Sequence, residues 1–360
     1  METIRIRTRP PYRISVEPGL LQHSGEMLKT LFSSGTRITI LVSETPGKHY
    51  LETLENNLKA AGFDCLAFSV PPGEKRKNLQ TVSELYDALI NAGMDRSDCI
   101  LALGGGRVGD IAGFCAATLY RGIPFVQVPT TLLAQVDASV GGKTGVNHEK
   151  AKNLIGAFYQ PRTVLIDPEL LRTLDMRERV SGFAEVLKYG FIADAALLET
   201  CITRRDAILN AEDLLLLTDI ICRSVRIKAR IVEKDERESG LRMLLNFGHS
   251  IGHAIEKASG YALRHGEALL IGMDAALRLS IRFAGLAPES QARFSAFLNA
   301  LPRPRTDLQL SPEILIDNLR YDKKNKNRQT RFVLLRAPGK TLIRDDIPQT
   351  AIREILETLL

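Results

Sequence analysis

No run in this 360-residue sequence approaches the roughly 20 apolar residues needed to span a bilayer, so no membrane partner is expected. The opening stretch METIRIRTRPPYRISVE (1–17) has no apolar signal core and alternates like a strand, which makes the cytoplasm the expected location. Cysteines are few: Cys65, Cys99, Cys115, Cys201 and Cys222 are odd in number, widely spaced and form no CxxC pair. That pattern argues against a disulfide framework or a zinc ribbon and fits a reducing compartment. Tryptophan is absent, aromatics make up 6%, and the net charge is only +6. Basic residues are dispersed among acidic ones except in DKKNKNR (322–328). A nucleic-acid binder needs a clustered basic face interleaved with aromatics, so isolated lysines fit a small anionic substrate better. Internal repeats and low-complexity linkers are also missing.

What is present is an ordinary globular composition, 44% hydrophobic and 25% charged, long enough for two domains. Short β-rich runs at 37–43, 65–70, 99–103, 124–128 and 163–167 alternate with amphipathic stretches such as NLQTVSELYDALINAG (78–93). This predicts an α/β N-terminal domain, a mainly parallel, Rossmann-like sheet covered by helices, over residues 1–175. Strand signals then fade, and residues 176–360 read as a mostly α-helical domain with two short strands, RFVLLR (331–336) and TLIRD (341–345). A crevice between two such domains is a common place for a ligand.

CILALGGGRVGDIAGF (99–114) reads as a strand, a glycine cluster and a helix start, with Gly104, Gly106 and Gly109 in G-x-G-x-x-G. Such a turn lets backbone N–H groups meet a pyrophosphate, although tight strand–helix packing selects the same glycines. No acidic residue closes the next strand about 20 residues on, as an ordinary dinucleotide unit requires. That strand ends instead in PTTLLAQVDASVGGKTG (129–145), which adds Thr130, Thr131, Asp137 and Lys143 in a second glycine-rich turn. Glu44, Glu74 and Lys77 follow earlier strands, at the ends where ligands of open α/β sheets bind.

LLNFGHSIGHAIEKASGYALRHGE (244–267) holds three of the six histidines. His249 and His253 are four residues apart and share a helix face; His265 follows a Gly-Tyr turn. A catalytic divalent cation takes about three side chains and keeps positions open, and these histidines with a carboxylate would suffice. HSIGH lacks the glutamate of HExxH, so a metalloprotease has no general base here. The expected carboxylate is Glu185, on a helix that Ser181 could cap and that also carries Lys188 three residues on.

GGGRVGDIAGF (104–114), RGIPFVQVPTTLLAQVDASVGGKTGVNHEKAKNLIGAFYQP (121–161), GFAEVLKYG (182–190), DERESGLRMLLNFGHSIGHAIE (235–256) and RHGEAL (264–269) together resemble the 3-dehydroquinate synthases, a family of sugar-phosphate cyclases. Long motifs in the same order over nearly the whole chain make the resemblance specific. It implies a homodimer with an N-terminal NAD domain and a helical metal domain. The implied activity is a lyase reaction of the shikimate pathway: 3-deoxy-arabino-heptulosonate 7-phosphate becomes 3-dehydroquinate and phosphate. The implied steps are transient oxidation by NAD, phosphate elimination, re-reduction, ring opening and an intramolecular aldol. Carried over by motif, Glu185, His249 and His265 hold zinc or cobalt, while His253 handles protons at the substrate. The resemblance places Asp137, Lys143, Lys188, Glu238, Arg242 and Asn246 with His253 in catalysis. It assigns Lys152, Asn153, Lys228, Arg121 (from a neighbouring subunit) and Lys324 or its neighbour Lys323 to substrate binding. Implied nucleotide contacts are Glu44, Glu74, Lys77, Gly105, Gly106, Asp110, Thr130, Thr131, Asp137, Lys143, Lys152 and Thr173. Arg107 stands where the family has a small apolar residue, and the motif around Glu44 is offset from the common form.

The rivals are a cyclase of another sugar phosphate, a metal-dependent polyol dehydrogenase, and a zinc-stabilised nucleic-acid binder using residues 322–328. Lys143, Glu238 and Arg242 favour a carboxylated substrate, and abundant lysines favour a phosphate-bearing one over a polyol. The binder lacks the cysteine-rich, closed site of structural zinc.

Overall fold

The structure, a computed structural model, describes residues 1–238, 240–302, 304, 310–320 and 330–359. The DKKNKNR run, with Lys323 and Lys324, lies outside these residues. Two compact units are formed, Met1–Leu174 with Asp213–Arg237, and Asp175–Glu212 with Glu238–Leu360.

The first unit is built on a seven-stranded sheet. Its strands are β1 (Glu2–Ile6), β2 (Tyr12–Val16), β3 (Arg37–Val42), β4 (Asp64–Ser69), β5 (Cys99–Gly104), β6 (Phe125–Pro129) and, after the hairpin strands β7 (Lys143–His148) and β8 (Ala151–Phe158), β9 (Thr163–Ile166). The order is β1-β2-β9-β6-β5-β3-β4, parallel throughout except between β1 and β2. β5 is buried at every residue and β3 at all but its first, as continuous apolar runs require when helices cover both faces of a parallel sheet. Among β3, β4, β5, β6 and β9 the winding reverses between β3 and β5. That reversal sets the C-terminal ends of these two strands at a topological switch point, where open α/β sheets bind ligands. The Gly106–Thr118 helix leaves β5 there, and Glu44 follows β3.

Two features depart from expectation. The stretch after Asp137 is not only a glycine-rich turn: Lys143 opens the antiparallel pair β7–β8, which packs on the Gly106–Thr118 helix. Gly145 and Gly156 permit that pairing, since a Cβ on Gly145 would lie 2.4 Å from the Ile155 carbonyl oxygen. The Leu214–Lys234 helix, from the second half of the sequence, belongs to the sheet unit. Its buried stripe, including Leu217, Ile221, Val225 and Val232, packs against β1 and the Ala134–Ala138 turn.

The second unit is helical, with one antiparallel hairpin, Phe332–Ala337 with Lys340–Arg344. Helices His249–Ala258 and His265–Ala284 pack on each other around Ile251, Ile255, Ala268 and Leu279. The Met176–Ala193 helix is buried without interruption from Val180 to Ile192. Ser181 does not cap it: the helix begins at Met176, and Asp175 accepts the Arg177 N–H at 3.0 Å. Ser181 instead accepts the N–H of Gly266 through its hydroxyl at 3.0 Å, deep inside the unit. Among the described residues, no helix is long and apolar enough to cross a membrane.

Candidate active site

In the first unit, the glycine turn follows β5, and Gly105 precedes the Gly106–Thr118 helix without any side-chain cap. An uncapped first turn suits an anion, which the helix dipole and N–H groups favour. The glycines also serve packing: a Cβ on Gly106 would sit 2.9 Å from Ala138 Cβ, and one on Gly109 2.7 Å from Gln127 Oε1. Thr130 is buried and its N–H donates to the Gly104 carbonyl at 3.0 Å; Thr131 Oγ1 accepts from Ala134 N–H at 3.2 Å. Both threonines thus brace the turn. Arg107 reaches back from the helix, its guanidinium donating to the Pro71 carbonyl.

Several expected residues converge here. Lys77, nearly buried, donates to Asp110 Oδ2 and to Asn153 Oδ1, each at 2.5 Å. Burial pushes the Asp110 carboxyl up, and Lys77 opposes that shift. Asn147 donates to Glu74 at 2.8 Å, and Lys152 lies 3.9 Å from the same carboxylate oxygen. Asp137 pairs with Lys228 at 2.8 Å, and the same ammonium donates to the Asp137 carbonyl at 2.6 Å. Lys143 is exposed at the start of β7. Three residues stand apart from these pairs. Glu44 is exposed and paired with Lys48, Thr173 shares a hydrogen bond with Tyr50, and Arg121 is exposed with a left-handed φ of 65°.

In the second unit, three elements bring Glu185, His249 and His265 together, with one donor atom from each inside 4.8 Å of the others. Glu185 Oε1 lies 3.3 Å from His249 Nε2 and 3.1 Å from His265 Nε2. Gly248, at φ 75°, turns the chain into the His249 helix; a Cβ there would be 2.8 Å from the Met273 N. Gly266 lets His265 approach the Glu185 helix, since a Cβ on it would lie 2.2 Å from the Ser181 carbonyl oxygen. Arg177 bonds both oxygens of the buried Glu267 carboxylate, at 2.7 and 2.8 Å, and clamps the same junction.

The protonation pattern tests whether a cation fits. His249 Nδ1 lies 3.1 Å from the Phe247 carbonyl, a contact that only an Nδ1–H satisfies. Burial holds this histidine down at about 4, against the pull of Glu185, so the ring is neutral and Nε2 turns a lone pair toward a carboxylate. Burial also acts against charge on His265, but hydrogen bonds to Glu185 and Glu256 outweigh it and push that ring up to about 10. Glu185 is fully buried, yet Lys188 and the hydrogen bond from His265 hold its carboxyl well below the usual range. Lys188 pairs directly with Oε2 of the same carboxylate. A neutral imidazole nitrogen turned toward a buried carboxylate oxygen is an arrangement that a divalent cation resolves; the donor set fits one.

His253 lies outside this triad. Its ring is perpendicular to His249, centroids 5.2 Å apart, and a nitrogen of it groups with Glu256 and the other side of His265. Arg242, buried, and Asn246 lie on the Leu241–Asn246 turn that leads into the His249 helix, and Glu238, at φ 60°, precedes it. The expected residues did not include Glu256, although its spacing from His249 and His253, seven and three residues, marks the same helix face.

The family model for the N-terminal part of 3-dehydroquinate synthase matches residues 67–181, and that for the C-terminal part matches residues 182–325. The chain is 45% identical to a 3-dehydroquinate synthase of Nostoc punctiforme, over 96% of each chain. It is 46% identical to one of Geotalea uraniireducens, over 86% of each. The solved 2-epi-5-epi-valiolone synthase of Streptomyces hygroscopicus, with NAD+ and Zn2+ bound, superposes with a TM-score of 0.88 at 29% identity, covering 97% of this chain and 96% of that one. With both family models matched and relatives this similar over nearly the whole length, the chain belongs to the 3-dehydroquinate synthase family.

Proposed function

We propose that this chain is a phosphorus–oxygen lyase that converts 3-deoxy-arabino-heptulosonate 7-phosphate into 3-dehydroquinate and phosphate, with NAD and one divalent cation, zinc or cobalt. The observation that carries the reading is the convergence of Glu185, His249 and His265, one donor atom of each lying within 4.8 Å of the others. When bound, NAD supplies reversible hydride transfer and the cation supplies Lewis acidity at a substrate hydroxyl.

The remaining chemistry falls to side chains. The first unit is the nucleotide domain: the uncapped turn at Gly105 and Gly106 takes the pyrophosphate, with Glu44, Glu74, Lys77, Asp110, Thr130, Thr131 and Thr173 around the nucleotide. The second unit holds the metal and much of the substrate. Lys188, with its charge pinned beside Glu185, Arg242 and Asn246 bind and orient the anionic substrate, and Glu238 shares that task. Lys143 and Asp137 take part in catalysis, Lys152, Asn153 and Lys228 bind the substrate, and Lys324 or Lys323 binds its phosphate. His253, excluded from the triad yet beside it, holds or moves a proton at an imidazole nitrogen. The working form is a cytoplasmic homodimer in which Arg121 reaches the neighbouring subunit's substrate.

The test is one assay that follows phosphate and nicotinamide absorbance together. Phosphate release without net NADH is expected. Accumulating NADH without phosphate would assign a polyol dehydrogenase. Activity only on a sugar phosphate lacking the carboxylate would assign another cyclase.

A further inference from the structure

Glu256 is 7% exposed, and a carboxylate so buried needs partners that repay its lost hydration. One is His265: the Glu256 Oε2 lies 3.3 Å from its Nδ1, while the other nitrogen of that ring faces Glu185 Oε1 at 3.1 Å. An ionised carboxylate only accepts, so Nδ1 carries the hydrogen and Nε2 is the nitrogen left for a cation. His249 is oriented in the same sense, but by the neutral Phe247 carbonyl at 3.1 Å. The two imidazoles therefore differ in the charge of the group behind them.

We propose that Glu256 is a positioning residue for the metal: through His265 Nδ1–H its carboxylate presents Nε2 to the cation and strengthens it as a ligand. This rests on the metal reading of Glu185, His249 and His265. Acceptors behind ligating histidines fix ring orientation and raise ligand basicity, and losing one costs about 10–100-fold in metal affinity. Here the charged acceptor makes His265 the stronger of the two nitrogen ligands.

The experiment uses metal-free full-length protein without substrate or NAD, titrated with Co2+ against a competing chelator while the visible cobalt bands are recorded. Glu256→Gln keeps the shape and one acceptor oxygen but removes the charge; Glu256→Ala removes both. The expected result is weaker cobalt binding in Gln by about 10-fold and in Ala by up to about 100-fold, with shifted bands in each. Gln alone decides the matter if Ala does not fold. Affinity and bands unchanged in Gln would overturn the proposal, whether or not thermal stability drops, because packing alone would then explain the contact. Turnover lost with cobalt affinity and bands intact would also overturn it, by assigning Glu256 to His253. Wild-type protein that binds no cobalt would overturn this proposal and the metal reading together.

Discussion

His249 and His253 stand four residues apart on one helix, yet they fall in different candidate groupings, and alanine substitution should separate them. The Glu185, His249 and His265 donors converge, and none of the three comes from His253. A second grouping, His253, Glu256 and His265, in which Glu256 meets His265 at Nδ1, competes as a cation position. His265→Ala would damage both and decides nothing. His249→Ala damages only the first, and His253→Ala only the second.

The magnitude follows from ligand count. A four-ligand structural zinc site is worth about 10–16 kcal/mol, roughly 3 kcal/mol per ligand if shared equally. At about 1.4 kcal/mol per tenfold, removing His249 should weaken binding on the order of 100-fold. Water entering the vacated space would moderate that loss. His253→Ala should change affinity by less than about threefold, because Glu185, His249 and His265 keep their positions and His249 keeps its Phe247 carbonyl. The assay is metal content after dialysis, backed by chelator competition on metal-free protein. Equal loss in both variants would refute the division of labour. Loss in His253→Ala alone would move the cation to the Glu256 side.

Two other substitutions probe the scaffold. Lys77→Met removes the cation paired with the partly buried Asp110 and should destabilise the first unit by about 1–3 kcal/mol near neutral pH. Burial already raises Asp110, so without Lys77 its folded value rises further above the unfolded one. The added cost is then present above that raised value and disappears as pH falls through it; urea unfolding at two pH values reads the difference. A loss that stays constant with pH would count against this account. Gly266→Ala places a Cβ 2.2 Å from the Ser181 carbonyl and should cost about 1–3 kcal/mol or more through overpacking, with weaker metal binding because His265 is the neighbouring residue. Unchanged cobalt affinity in a destabilised Gly266→Ala protein would show that the junction does not position the ligand.

Where the sequence was readable, the reason is periodicity or local chemistry. RITILV and CILALG are uniformly apolar because both faces of their strands are covered, and the glycine cluster after the second marks the close helix start. Lys143–Phe158 was not readable as two strands. Its residues are polar and glycine-rich, and the pair forms because Gly145 and Gly156 allow close backbone approach on top of a helix that the local pattern does not reveal. Ser181 misled for a related reason. A serine near a helix start is a cap by local logic, but Asp175 caps this helix and the Ser181 hydroxyl serves a contact 85 residues away in sequence. The metal triad shows the same limit from the other side. Helical spacing places His249, His253 and Glu256 on one face, yet nothing within that helix says which of them meets Glu185. Gly248 and Gly266 decide it, one by turning the chain with a left-handed φ, the other by admitting the Ser181 backbone. A glycine can be seen in the sequence; the partner it makes room for is a property of the fold. In this chain the approach of His265 to Glu185 therefore depends on backbone contacts as much as on the side chains, and a variant that keeps every histidine but fills the space at Gly266 should bind metal poorly.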